Sequence, residues 1–571
     1  MRVAAAQGLI IPSGGYMIAN NGNIVLTANW TNNGSFTHNG GTLIFAGAVQ
    51  TLGGTSSTQF NNLTIMPGSK TSIISSGQKV IGAVQSNDTL NANGNLTLLS
   101  TAVQTAEVDG SGAGQITGNV TVQRYVPSGF GYKYISSPFI SDSVGEYASV
   151  VNLTSAFPSF YSNNESLTTA GWVNYTNPSG QLIPLTGYAA NLGASATPVT
   201  IAVTGVLNNG SVSSPLLYNH NMTYTEGFNL AGNPYPSPIN WNSSTGWTMT
   251  NIDNAIYYFN AGTTNQYTGV YSSYINGVSS DGVAGSTIPA MQGFFVHVTN
   301  GTFPVTGQLT VNNNARVLNP TIILYGGPSE PQIPIPQLRL TAGFADVTRA
   351  ADPVVCYFPG AATGLFNKTQ DALKLMNTDP AVPNLYAVST DSKTLSIVAL
   401  PPFSDSLTVP LGLTTPEAGW VTFNAGDVSQ IPVGWHVYLY DLTTGVIQDM
   451  GAEPLYRLNL AMGDYAGRFF LKFSTTALAT SNPPPVIPNP AAVDNFWVYS
   501  SPGELLVHID LASSQNGRLM VIDMRGQVVY QRDIGGNGLQ QIDANFAPGV
   551  YLVRLYTSKE THVKKVFIGP L

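Results

Sequence analysis

Disulfide bonds cannot hold this chain together. Its 571 residues include a single cysteine, Cys356, so stability must come from burial and sheet hydrogen bonds. Cys356 lies within the apolar run Val-Val-Cys-Tyr-Phe at 354–358, where a buried, inert thiol is expected rather than a nucleophile. Charge is equally scarce: 9% of the residues are charged, against about 25% in ordinary globular domains. Long amphipathic helices need charged faces, and this composition cannot supply them. A net charge of −8 offers no electrostatic footprint for nucleic acid or an anionic membrane surface. No stretch reaches the ~18–20 apolar residues of a membrane span, so no membrane insertion is expected.

Catalytic signatures are also missing. The six histidines, His38, His220, His297, His436, His508 and His562, are scattered along the chain and form neither an H-E-x-x-H pattern nor a close metal-binding pair. No G-x-S-x-G nucleophile elbow occurs. The run Gly110-Ser111-Gly112-Ala113-Gly114 does not join a strand to a helix, so it reads as turns and not as a phosphate cradle. Glu146, Glu165, Glu226, Asp253 and Asp281 could serve a glycosidase only if two of them paired across a site, and spacing alone pairs none. The expectation is a protein that is not an enzyme and carries no cofactor. Calcium is the one ion the acidic loops suggest, at Ser280-Asp281-Gly282 and Gly426-Asp427, where a solvated turn is the simpler reading.

What the chain has in abundance is Gly, Asn, Thr and Ser among strand-forming Val, Ile, Tyr and Phe. The fold class is therefore all-β and multidomain. Residues 1–124 contain the loose repeat Asn62-Leu63-Thr64-Ile65, Asn95-Leu96-Thr97-Leu98 and Asn119-Val120-Thr121-Val122. Returning alternation of this kind implies a β-solenoid, with Asn ladders between rungs, or else an antiparallel sandwich. Ala4-Ala5-Ala6 before Gln7 resembles the end of a signal-peptide cleavage site, which implies that the chain as given begins late.

Residues 125–330 are rich in aromatics, with Trp172, Trp241 and Trp247 as candidate stacking surfaces for surface glycans. A jelly-roll-like sandwich is expected there, with 227–241 and 288–298 resembling blocks found in large secreted Bacteroidetes proteins. Buried core positions are the competing reading for the rings. Residues 331–478 read as a Greek-key-like sandwich with a hairpin whose tip is Asp391-Ser392-Lys393.

The chain closes with Pro-rich punctuation at 479–492, which includes Asn482-Pro483-Pro484-Pro485 and Pro488-Asn489-Pro490 and reads as a stiff, extended linker. Beyond it, Leu505, Val507 and Ile509 alternate with polar or outward positions, the period-2 mark of a half-buried strand. Arg525-Gly526 suits a hairpin turn. The order Pro-Asn-Pro, a strand, Val-Ile-Asp-Met-Arg-Gly-Gln-Val-Val-Tyr-Gln at 521–531, Ala-Pro-Gly-Val-Tyr-Leu-Val-Arg-Leu-Tyr at 547–556 and Lys-Lys-Val-Phe-Ile at 564–568 resembles the type A C-terminal sorting domain of Bacteroidetes type IX secretion cargo. Gly569-Pro570-Leu571 extends past the usual terminal strand.

The resemblance implies an Ig-like sandwich over 493–571 that serves as the export signal. Gly526, Gly549, Tyr551, Lys564, Lys565 and Val566 would be its sorting-signal positions. The implied partners are an outer-membrane translocon with its shuttle barrel and a sortase-like peptidase, and the implied location is the cell surface or the medium. Asp88-Thr89-Leu90, Asp142-Ser143-Val144 and Asp405-Ser406-Leu407 resemble the O-glycosylation signal of these bacteria, with Thr89, Ser143 and Ser406 as acceptors. The body is expected to be structural or adhesive. A carbohydrate-binding surface protein and a self-assembling filament or sheath subunit are the alternatives.

Overall fold

The computed structural model describes residues 3–319, 321, 335–345, 350–426, 428, 431–478, 495–501, 504–510, 516–535, 538–543, 546–547, 549–557 and 561–568. The proposed linker at 479–492, Asp427 of the candidate calcium loop and the terminal 569–571 lie outside them. Among the described residues the fold is all-β, with two short 3-10 turns and no α-helix. The chain divides into two compact units, Met1–Ser481 and Asn482–Leu571.

The first unit opens with a parallel solenoid. One six-stranded sheet runs from Val3–Ala6 to Glu107–Val108 and a second from Leu9–Ile11 to Gln115–Thr117, while the third side ends in Val120–Val126. Each rung buries its apolar residues only by stacking on its neighbours. Ile24, Leu43, Leu63, Val84 and Val108 are in register along the first sheet. Phe60, Val80, Leu98 and Val122 form the matching column on the third side. All of them are buried.

Asparagines link the rungs through side-chain-to-backbone bonds and not as the expected ladder, since Thr42 stands opposite Asn62. Asn23 Oδ1 accepts the Thr42 N–H at 3.1 Å, and Asn62 Oδ1 accepts that of Ala83 at 2.8 Å. Corners close tightly: at Gly54, with φ near +126°, a Cβ would come within 2.0 Å of the Asn32 carbonyl oxygen, which admits only glycine. The repeat visible in the sequence is out of phase with the sheets, however. The block at 62–65 belongs to the first sheet, whereas those at 95–98 and 119–122 are stacked on the third. Ala4-Ala5-Ala6 lies within the strand Val3–Ala6, paired in parallel with Asn23–Leu26.

The last solenoid strand does not stop at the expected boundary of 124. Val120–Val126 continues and pairs antiparallel with Val199–Gly205, so the solenoid edge is covered by the following region. The Arg316 guanidinium adds a second tie, donating to the Ser237 hydroxyl at 2.8 Å and to the carbonyl of Val108 on the last rung.

Residues 132–311 form a four-stranded antiparallel sheet that contains Tyr132–Ile135, a five-stranded one built on Gly293–Val298 and Ile252–Ala261, and a further four-stranded sheet around Val305–Val311. Residues 337–474 form one hydrogen-bonded sheet of twelve strands. The hairpin at its centre is Asn384–Val388 and Thr394–Ala399, and Ser392 at the tip has φ near +64°. Cys356 is fully buried in Asp352–Tyr357, and burial pushes its thiol up to about 12. These two regions share one hydrophobic core, in which Tyr257, Phe259 and Phe295 join Leu338, Ile397 and Leu411.

In the second unit, a three-stranded sheet (Asn495–Ser501, Glu504–Asp510, Gly538–Asp543) and a four-stranded sheet (Val528–Gly535, Asn516–Asp523, Gly549–Thr557, Thr561–Ile568) share a core. Leu505, Val507 and Ile509 all point into it, as their alternation required.

Candidate functional site

The region 132–271 folds its rings around a cleft. In the strand Tyr132–Ile135, residues two apart face the same side, so Tyr132 and Tyr134 present both rings to one face. Across the sheet, Tyr134 pairs with Ala189, and Ala189 pairs with Tyr161 on the next strand. An alanine between two tyrosines leaves a gap in the row, and that gap is the floor of a cleft of about 380 Å³. Trp172 forms one wall, with its ring 5.6 Å from Tyr134 and 6.4 Å from Tyr161. Phe259 stacks on Tyr134 at 4.8 Å. At the mouth, Phe157 and Tyr267 meet edge to face at 4.8 Å, 52% and 47% exposed.

The polar groups of the cleft are hydroxyls. Tyr132 donates to the Pro158 carbonyl at 3.0 Å, and Tyr134 and Tyr271 share a hydrogen bond at 2.8 Å. Thr169 and Thr378 stand exposed at the rim. No residue lining the cleft carries a charge. Burial raises the Tyr132 phenol well above its usual value and pushes that of Tyr271 up to about 12. These two phenols are therefore neutral donors and acceptors at any physiological pH.

Of the three tryptophans singled out in the sequence, only Trp172 reaches this cleft. Trp241 is buried, with its indole N–H held by the Asn254 carbonyl at 2.7 Å. Trp247 packs against it at 4.9 Å and donates to the Asn240 carbonyl. Tyr132, Tyr134, Phe157 and Tyr161 complete the cleft, and the sequence marks them only faintly. The spacing Tyr132-Lys133-Tyr134 was the available signal, because it places two rings on one side of any strand.

The five carboxylates considered for glycoside hydrolysis lie elsewhere. Glu165 is buried against His220 Nδ1 at 2.6 Å, and Asp253 against His297 Nδ1 at 2.6 Å. Glu146 accepts the Thr204 N–H. Burial raises Glu226 above the usual carboxylate range. Asp281 spends both oxygens on its own loop and strand, accepting from the Ser279 hydroxyl and the Val283 and Ala284 N–H groups at one, and from the Ser272 hydroxyl at the other. Among the described residues no group of three His, Cys, Asp or Glu side chains is placed to hold a metal ion. Of the candidate acceptors, Thr89 and Ser143 are partly exposed on strands, and Ser406 is exposed beside Ser404, with hydroxyls 2.8 Å apart.

In the second unit, Gly526 turns the hairpin at φ near +84°, a left-handed conformation that suits glycine. The Asp523 carboxylate fastens that turn by accepting the N–H groups of Arg525 and Gln527, each at 2.9 Å. Gly549 starts its strand opposite Ile568. Tyr551 is buried and donates to the Ala547 carbonyl at 2.7 Å, and Val566 is in the core. Lys564 and Lys565 are exposed on the neighbouring strand.

Residues 16–473 match the family described as a domain of unknown function, DUF8693. The chain belongs to this family. Residues 497–569 match the secretion system C-terminal sorting domain, so the chain carries the sorting domain of a type IX secretion cargo and is destined for the cell surface or for release. No helix among the described residues is long and apolar enough to cross a membrane. No curated protein matches the chain. Among solved structures it is similar to a β-D-glucuronidase of Dictyoglomus thermophilum, at 11% identity over 33% of this chain and 44% of that one, with a TM-score of 0.13. An FMN-binding β-glucuronidase from Facaelibacterium prausnitzii L2-6 matches at 12% identity over 41% and 40%, with a TM-score of 0.12. The BSP domain of a biofilm associated protein matches at 10% over 79% and 92%, also with a TM-score of 0.12. The chain spans less than half the length of the two glucuronidases, and TM-scores this low define no shared fold.

Proposed function

We propose that the exported protein is a non-catalytic scaffold of the cell surface, adhesive or structural in role. The observation that carries this reading is the seam between the solenoid and the sheets that follow it. Seven residue pairs of Val120–Val126 and Val199–Gly205 make the stacked rungs continuous with the sheets that follow, as a load-bearing or display surface requires. The buried His–carboxylate pairs act as internal ties, and none of them opens onto the cleft. Export proceeds through recognition of the second unit by the type IX translocon and shuttle barrel, followed by removal of the unit by a sortase-like peptidase at 479–492.

The test compares cells that lack the gene with cells that express the full chain. Loss of attachment to surfaces, or of envelope integrity, with no turnover of glycan, ester or peptide substrates by the purified protein, is the expected outcome. Metal- or carboxylate-dependent hydrolysis would overturn the reading. The aromatic cleft favours a second, compatible reading, in which the scaffold binds carbohydrate.

A further inference from the structure

We infer that the cleft lined by Tyr134, Tyr161, Trp172 and Tyr267 is a binding site for neutral glycans, which seats the terminal sugar residues of a surface or matrix polysaccharide. This rests on the proposed surface role of the body and names what the body would hold. Three features of the cleft point to this ligand class. Its volume of about 380 Å³ lies at the small end of ligand pockets, which run from roughly 300 to 1,000 Å³. That room suits a chain end better than the flank of a long polymer.

The chemistry of the lining is amphipathic in the way a pyranose is. Trp172 and Tyr161, both half-buried at the cleft, offer ring carbons to the C–H groups of a sugar, while Thr169 and Tyr267 stand at the mouth, where a sugar carries its own hydroxyls; the Thr378 hydroxyl beside them is held by the Gly269 backbone.

The absence of charge from the lining sets the specificity. A uronate or sialate carboxylate entering a ring-walled cleft with no cation would lose its hydration without compensation. Neutral hexoses and pentoses escape that penalty. The gap itself is a specificity element, because it exists only while residue 189 is small: Ala189 is held between Tyr134 and Tyr161 by the strand register.

The test uses the purified full chain with cello-, xylo- and manno-oligosaccharides, a matching oligogalacturonate, and a Phe-Tyr-Phe peptide as probes, read by calorimetry. Binding of at least one neutral series and not of the uronate is expected. Tyr267→Ala and Tyr161→Ala should each weaken that binding by about tenfold or more, as truncated aromatic anchors do. Tyr267 is 47% exposed, so its substitution should leave the melting temperature unchanged and separate loss of binding from loss of fold. Ala189→Leu, which fills the floor, should abolish binding. If no neutral series binds, or if binding is indifferent to Tyr161→Ala and Tyr267→Ala, the inference is overturned. Peptide binding that these variants abolish, without sugar binding, overturns it in favour of an aromatic side-chain site.

The two readings fail separately. Cells expressing Tyr161→Ala/Tyr267→Ala that attach normally, while cells lacking the gene do not, sink the glycan site and leave the scaffold standing. Gene deletion without effect on attachment or envelope sinks the scaffold, whatever the cleft binds.

Discussion

Tyr134 and Tyr271 join hydroxyls at 2.8 Å although 137 residues separate them in the chain. One sits on the strand Tyr132–Ile135 and the other on Gly269–Ile275, so this single hydrogen bond pins two sheets together at the aromatic cleft. Removing either hydroxyl by Tyr→Phe should lower stability by about 1 kcal/mol, the typical net value of an intramolecular hydrogen bond. Tyr134→Phe/Tyr271→Phe should cost less than the two single changes together, because the second change removes a partner already lost. Thermal unfolding of the four proteins of the cycle measures the coupling, and strict additivity would show that the bond contributes nothing.

Glu107, on the last rung of the solenoid, is 1% exposed and accepts the Asn319 N–H at 2.9 Å. Among the described residues its other oxygen has no hydrogen-bond partner. Burial raises its carboxyl from 4.5 to about 8, opposed in part by the Asn319 hydrogen bond and by Arg124. A raised carboxyl favours the protonated folded state, so the favourable contribution is complete below about 4.5 and is lost as pH climbs toward about 8. Glu107→Gln keeps an acceptor for Asn319 and cannot ionise. The variant should be more stable than the parent at pH 8, by an amount on the order of a few kcal/mol, and should match it near pH 4. Melting curves across that range check this, and parallel pH profiles for the two proteins would contradict it.

Lys374 and Asp352 form a buried pair in the twelve-stranded sheet, with the ammonium 2.6 Å from Asp352 Oδ1 and each side chain nearly inaccessible. Asp352 Oδ2 also accepts the Leu385 N–H at 2.6 Å. Lys374→Met strands a buried carboxylate and should destabilise the body by about 3–5 kcal/mol. Asp352→Asn keeps a polar acceptor and should cost less. Urea midpoints rank the variants, and equal midpoints would mean that the pair is not buried in solution.

The sorting domain allows fold and recognition to be separated. Val507 is fully buried, and an Asp there puts an unpaired charge into the core of a domain of roughly 80 residues, a size at which stability is marginal. Val507→Asp should unfold the domain and leave the body in the periplasm. Lys564→Glu/Lys565→Glu changes exposed positions and should leave the circular dichroism and melting of the domain intact. Export of that variant, measured by cell fractionation, then reports on recognition alone. Normal surface levels of Val507→Asp would contradict the role of the folded domain in sorting.

Local patterns were readable where their partner was implicit in the pattern itself. The alternation of Leu505, Val507 and Ile509 names its own buried face, and the Arg525-Gly526 pair names its own turn. The solenoid was readable as a repeat but not in phase, because the partner of Asn62 is Thr42 on another rung and no local spacing reveals which side of the triangle a block occupies. The cleft needed more still. Its rings are written in the chain, but the gap between them depends on Ala189 falling opposite Tyr134 and Tyr161, which is a property of strand register. For the same reason Trp241 and Trp172, alike in composition, separate into an interior and a cleft-facing ring only once the sheets are paired.

The ladder between Val120–Val126 and Val199–Gly205 also guards the molecule against itself. Without it, the third side of the stack would finish on a row of unpaired N–H and C=O groups, which is a template for a strand of another copy. The strand that closes that row comes from the same chain, so local opening of Val199–Gly205 would expose a site for chain-to-chain association.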